Sequence, residues 1–179
     1  MTKISSLILA AAFLATATSL SAGALAEGAS SEESPIYGVK IPAGYRDWKV
    51  IAVSTLKTDK ADQLRVQFGN EIALKAIKEG RLPFPDGSII AARHWTRVSS
   101  EENNQVLAGP FPGSQSSVPG AVVNVQFMVK DSKKYAATGG WGFADFKDGK
   151  PAPQAVHEAC FSCHVPAQDH DYVFTRYAP

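Results

Sequence analysis

Both cysteines of this 179-residue chain fall in a single run, Cys160-Phe161-Ser162-Cys163-His164. With no third thiol available, the fold depends on a packed core, and the C-x-x-C-H run is free for chemistry. Two thiols one helical turn apart can add across the two vinyl groups of one haem. The adjacent imidazole of His164 is then held beneath the iron as its axial ligand. The spacing therefore predicts one covalently attached haem c, with Cys160 and Cys163 as attachment points and His164 as the metal ligand.

Three other uses of such a run fit less well. A redox-active pair sits where a strand feeds a helix N-terminus, which depresses the first thiol's pKa, whereas this run ends an expected helix. A zinc site could recruit His157 and His164, but four ligands within eight residues lack the spacing of a ribbon or finger. A structural cystine across so short a loop contributes little and leaves His164 without a role.

Residues 1–26 have the anatomy of an export signal: Lys3 supplies the positive start, residues 7–17 an apolar stretch, and Ala24-Leu25-Ala26 a small-x-small cleavage site. The stretch is short and weakly hydrophobic for a membrane span, and no cysteine follows it to carry a lipid. The expectation is a periplasmic protein without a membrane anchor, in agreement with a haem attached after translocation. Cleavage after Ala26 leaves 153 residues, the size of one domain. Loss of Lys3 leaves 17 basic and 17 acidic residues, a neutral sum that offers nothing to nucleic acid and no strong steering toward a redox partner.

The mature chain divides into a polar, acidic lead-in at 27–36, expected to be disordered, and an ordered domain over 37–179. Strand patterns occupy 49–55 and 63–69, the second alternating Leu64, Val66 and Phe68 against Gln63, Arg65 and Gln67. Asn70 is placed to cap a helix over 71–79, with Ile72, Ala73, Ala76 and Ile77 on one stripe and Gly80 as its stop. Further strands are expected at 88–95, 121–130 and 141–146, and a helix at 155–163, closed by Pro166, carries the cysteines. Along 121–130, Val123, Val125, Phe127 and Val129 oppose Asn124, Gln126 and Met128. Residues 99–120, rich in Gly, Pro and Ser, read as one long loop that either covers a haem edge or lies idle on the surface. Strands and helices without a repeating β-α-β rhythm predict an α+β fold with a mainly antiparallel β-sheet and flanking helices.

The chain resembles the cytochrome P-460 family, a group that includes the β-sheet cytochromes c′. The resemblance rests on Ile41-Pro42 through Tyr45-Arg46-Asp47-Trp48, on Val129-Lys130-Asp131-Ser132-Lys133-Lys134, on the C-x-x-C-H run, and on Val173-Phe174-Thr175-Arg176. It spans essentially the whole mature domain. It implies a homodimer with one c-type haem, a histidine on one side of the iron, and an open or weakly held site on the other. Enzymatic members oxidise hydroxylamine and handle nitric oxide, and they carry an extra bond between a lysine side chain and the haem ring. That lysine's position falls at Ala92, with Arg93 beside it. A distal-pocket arginine falls at Arg65, and a carboxylate found in some enzymatic members falls at Gln126, a change that loses a proton acceptor.

The resulting expectation is a mono-haem cytochrome that binds or transforms a small nitrogen species such as nitric oxide or hydroxylamine, with Arg65 and Gln126 in its distal pocket. The alternatives are a nitric-oxide-binding protein without turnover and an electron carrier. A carrier usually prefers a second strong iron ligand. Met128, His94, His157 and His170 are the available side chains, and their positions read as packing or solvated groups.

Overall fold

The computed structural model describes residues 32–178, so the expected export signal and its cleavage site lie outside the described residues. The expected lead-in is ordered at its C-terminal end. Ser34 is only 3 % exposed, and its hydroxyl donates to the Phe143 carbonyl while accepting the Val39 N–H. Tyr37, Val39 and Ile41 follow directly into the core.

Six strands form one antiparallel meander in chain order: β1 (Lys49–Lys57), β2 (Asp62–Gly69), β3 (Ile89–Ser99), β4 (Ser117–Lys130), β5 (Trp141–Lys147) and the short β6 (Lys150–Pro151). This is the expected α+β architecture. Cross-strand register converts the sequence alternation into two different faces. Phe68, Ala91, Phe127 and Ala144 pair in a row across the sheet, and Val66, Arg93, Val125 and Phe146 form the next. That face is apolar and packs Tyr45 edge-on against Phe127, with the ring centroids 5.1 Å apart. The opposite face carries the row Gln67, Ala92, Gln126, Asp145, flanked by Arg65, His94 and Asn124. Burial of side chains such as Phe127, Phe146 and Trp141 contributes roughly 1.5–3 kcal/mol each.

Helix α1 (Glu71–Lys78) begins as its sequence dictates: the Asn70 side chain accepts the Ala73 N–H, and Gly80 turns the chain with a left-handed φ of 63°. Ala73 and Ala76 are buried, whereas Ile72, expected on the same stripe, is left exposed at the helix edge. The expected loop at 99–120 is corrected most. β3 runs on to Ser99, helix α2 (Glu101–Leu107) follows, and β4 begins at Ser117. Ser100 caps α2 by accepting the Asn103 N–H, acidic residues favour its first turn, and the Asn104 side chain accepts the Ser116 N–H. This segment borders a polar hollow beside Asp62 and Arg97, and none of it lines the cavity at the cysteines.

Helix α3 (Gln154–His164) carries the C-x-x-C-H run. It ends at His164, just ahead of Pro166, as expected. The chain passes straight into a 3-10 turn over Val165–His170, where a proline near the N-terminus removes no needed donor. The tail then runs back across the molecule, burying Val173 and ending with the Ala178 N–H on the Ile51 carbonyl.

Candidate functional site

Helix α3 is fixed to the sheet by His157, whose side chain is fully buried. Its Nε2 accepts the Asp145 N–H of β5 at 3.2 Å, so Nδ1 must be the donor, and it faces the Pro153 carbonyl at 3.2 Å. With both ring nitrogens engaged, His157 is a structural pin and is unavailable as a metal ligand. One turn on, Cys160 is half-buried against the core and Cys163 is exposed, both as free thiols.

His164 is oriented by two contacts of different kinds. Its Nδ1 donates to the Tyr172 carbonyl at 2.7 Å, which leaves the lone pair on Nε2. Phe143 and Phe174 flank the ring at 5.0 and 5.3 Å between centroids. Burial lowers the imidazole's pKa, with the Tyr172 bond offsetting part of the effect, so the unprotonated, ligating form is favoured. The Cys160 thiol is pushed up to about 11 by burial first and then by Asp145 and Cys163. This is the reverse of the depressed pKa that a reactive C-x-x-C pair needs. Among the described residues, no three or more His, Cys, Asp or Glu side chains are grouped so that they could hold a metal ion.

Between α3 and the polar face of the sheet lies a cavity of about 440 Å³. Val156, Ala159, Cys160, Cys163 and His164 form its helix side, and Phe174 and Thr175 its rim. The sheet side presents Arg65, Gln67, Ala92, His94 and Gln126 above the apolar Ile90 and Met128. These residues fit a c-type haem: two thiols in the wall, an imidazole whose Nε2 is free, and an apolar slot. Gln67 Oε1 is also buried there without a partner. Such a group would supply redox-active iron, with Cys160 and Cys163 placed to tether it, His164 to offer it a nitrogen, and Arg65, Gln67 and Gln126 to form a polar wall.

The Cytochrome P460 family model matches residues 42–175. The chain belongs to the cytochrome P460 family. No protein in the curated set matches it. The family assignment accounts for an antiparallel sheet backing a C-x-x-C-H helix near the C-terminus, and no helix among the described residues is long and apolar enough to cross a membrane.

Within this cytochrome P460 fold, the sequence-chosen distal residues do reach one wall. Arg65 is half-buried, and its guanidinium donates from Nε and Nη2 to Gln63 Oε1 at 3.2 and 3.0 Å. Gln126 stands directly across from Ala92 in the β3–β4 register. Arg93, next to Ala92, points to the other face and stacks on Trp95 at 5.2 Å. Among the described residues lining the cavity there is no lysine. Lys75 borders a separate hollow, and Lys78 lies over Tyr177.

Sequence reasoning missed Asp145. It is 8 % exposed, lies in the cavity wall, and accepts from Gln126 Nε2 at 2.8 Å and Asn124 Nδ2 at 2.7 Å on the same carboxylate oxygen. The signal was an acid inside an otherwise apolar strand, in alternation with Phe143. His94, read from sequence as a packing group, is buried in the same wall with a pKa lowered to about 4 by burial and by Arg65, partly offset by Asn124.

Proposed function

We propose that this chain is an exported, periplasmic mono-haem cytochrome that binds nitric oxide, or a similar small nitrogen species, at an iron position opposite His164. The observation that carries the reading is the His164 imidazole, committed through Nδ1 to Tyr172 and free at Nε2, lining the same cavity as two thiols. In this reading Cys160 and Cys163 hold the haem by thioethers and His164 ligates the iron. Arg65 supplies a positive donor on the wall and Gln126 a neutral amide.

Binding without turnover is favoured over hydroxylamine oxidation because Ala92 has no amine to bond the ring and no lysine among the described residues lines the cavity. One observation keeps turnover as a second reading. The carboxylate missing at Gln126 is present one strand away as Asp145, hydrogen-bonded to that glutamine. A homodimer, as the resemblance implies, would also cover exposed apolar residues of the sheet such as Val50, Val53 and Val122.

The experiment is a ferrous absorbance and electron spin resonance study of the purified, haem-loaded protein with nitric oxide and carbon monoxide. High-spin iron that binds both supports the proposal. Low-spin iron that refuses both refutes it in favour of an electron carrier, with His94 or Met128 in the wall as the second ligand to examine.

A further inference from the structure

The carbonyl that orients His164 belongs to an unusual stretch of backbone. Asp171 and Tyr172 both adopt left-handed conformations, with φ of 53° and 64°, although neither is glycine. Such a pair persists only where its surroundings over-determine it. Here the surroundings are explicit. The Asp171 carboxylate accepts from Lys130 Nζ at 2.7 and 2.9 Å and from the Phe84 N–H at 2.8 Å. Lys130 Nζ also donates to the Gly139 carbonyl at 3.0 Å and lies 4.9 Å above the centre of the Trp141 ring. Both charged side chains are almost wholly buried, at 5 % and 7 % exposure. The Tyr172 ring fills the space over Gly139, where a Cβ would collide with it, and packs against Phe161 at 5.3 Å.

The pair is therefore two residues' reach from the axial imidazole yet touches neither His164 nor the cavity wall that faces it. Lys130 stands at the end of β4, and Asp171 follows the 3-10 turn after α3, so the contact joins the sheet to the segment behind the ligand. We infer that the buried Lys130–Asp171 pair is a positioning device for the axial ligand: it holds the Tyr172 carbonyl against His164 Nδ1 and thereby sets the strength of the bond His164 makes to iron. The chemistry is that of an outer-shell hydrogen bond. A firm Nδ1–H···O=C contact fixes the ring and raises the basicity of Nε2, whereas a loosened one leaves a weaker and more variable ligand. The inference rests on the proposed ligation of iron by His164, and not on which small molecule binds opposite.

The test uses the full-length, haem-loaded protein and three variants. Asp171→Asn keeps an acceptor for Phe84 and tolerates the left-handed backbone but loses the charge. Lys130→Met/Asp171→Asn removes the buried cation as well, and Lys130→Arg keeps a displaced charge. The expected result is a lower and broader iron–histidine stretching band in resonance Raman spectra of the ferrous protein. The ratio of five- to six-coordinate nitric oxide complex should rise roughly tenfold, the low end of what loss of an outer-shell partner does to metal affinity. Lys130→Arg should move the band less than the other two. Arg97→Met, which breaks the Asp62–Arg97 pair, is the control and should leave the band in place. Folded, haem-loaded variants with a wild-type band overturn the inference, as does an equal shift in the control. If no variant gives a folded, haem-loaded chain, the pair acts on the fold alone and the inference fails. A wild-type protein without any iron–histidine band refutes the His164 assignment itself, which is a separate failure.

Discussion

Replacing His157 isolates the contact that ties the cysteine helix to the sheet. In His157→Leu the ring's two hydrogen bonds disappear, but their loss is unequal. The Pro153 carbonyl keeps the Val156 N–H at 3.0 Å, so it is not orphaned. The Asp145 N–H loses its acceptor in a buried position, which costs about 1–3 kcal/mol. Leucine roughly conserves the packed volume, adding at most about 1.5 kcal/mol of misfit. The expected loss is thus about 1–4.5 kcal/mol, and His157→Ala should lose at least about 2 kcal/mol more through the cavity it opens. With a urea m-value of about 2 kcal/mol/M, the leucine variant's unfolding midpoint should fall by roughly 0.5–2 M. The assay is urea unfolding at neutral pH, followed by circular dichroism, on wild type and both variants. A leucine midpoint within about 0.3 M of wild type at unchanged slope would refute the claim that this imidazole pins α3 to β5.

Intact-mass measurement of the exported protein should show one haem per chain. Cys160→Ala or Cys163→Ala should reduce attachment to a single thioether or abolish it, and the mass of bare polypeptide in the wild type would overturn the haem reading. The wild type should give an ordinary c-type ferrous spectrum and poor hydroxylamine oxidation, with Ala92→Lys made beside it to restore the amine. A red-shifted band with brisk turnover in the wild type would show that some other side chain bonds the ring. His94 should make the fold acid-sensitive. Its folded pKa of about 4 lies below the ordinary value of 6.5, so the unfolded chain takes up the proton first. Stability from this group is complete above about pH 7, declines between 6.5 and 4 by roughly 3 kcal/mol in all, and is level below that. Urea midpoints at pH 7 and pH 4.5 should converge in His94→Gln relative to wild type; an unchanged pH slope would remove His94 as the cause.

The amino-acid sequence by itself determined the features that depend on neighbours in the chain. The C-x-x-C-H run, the alternation that became β2 and β4, and the Asn70 cap with its Gly80 stop are local, because a helical turn or a strand pair of faces is decided within a few residues. Even α2 had a local signal in Ser100 and its acidic first turn, but the Gly-, Pro- and Ser-rich residues after it dominated the reading. The sheet-side wall of the cavity was legible only in part. Arg65 and Gln126 came from family resemblance, while Asp145 and His94 joined them through strand register, which no single strand specifies. The His164 site divides in the same way. His164 is named by its place in the motif, but the carbonyl that orients it comes from Tyr172, and the buried charges behind that carbonyl come from residues forty-one positions apart. Those contacts form only when the segment after α3 folds back over the sheet, so tertiary packing, and not sequence proximity, decides how the imidazole is held.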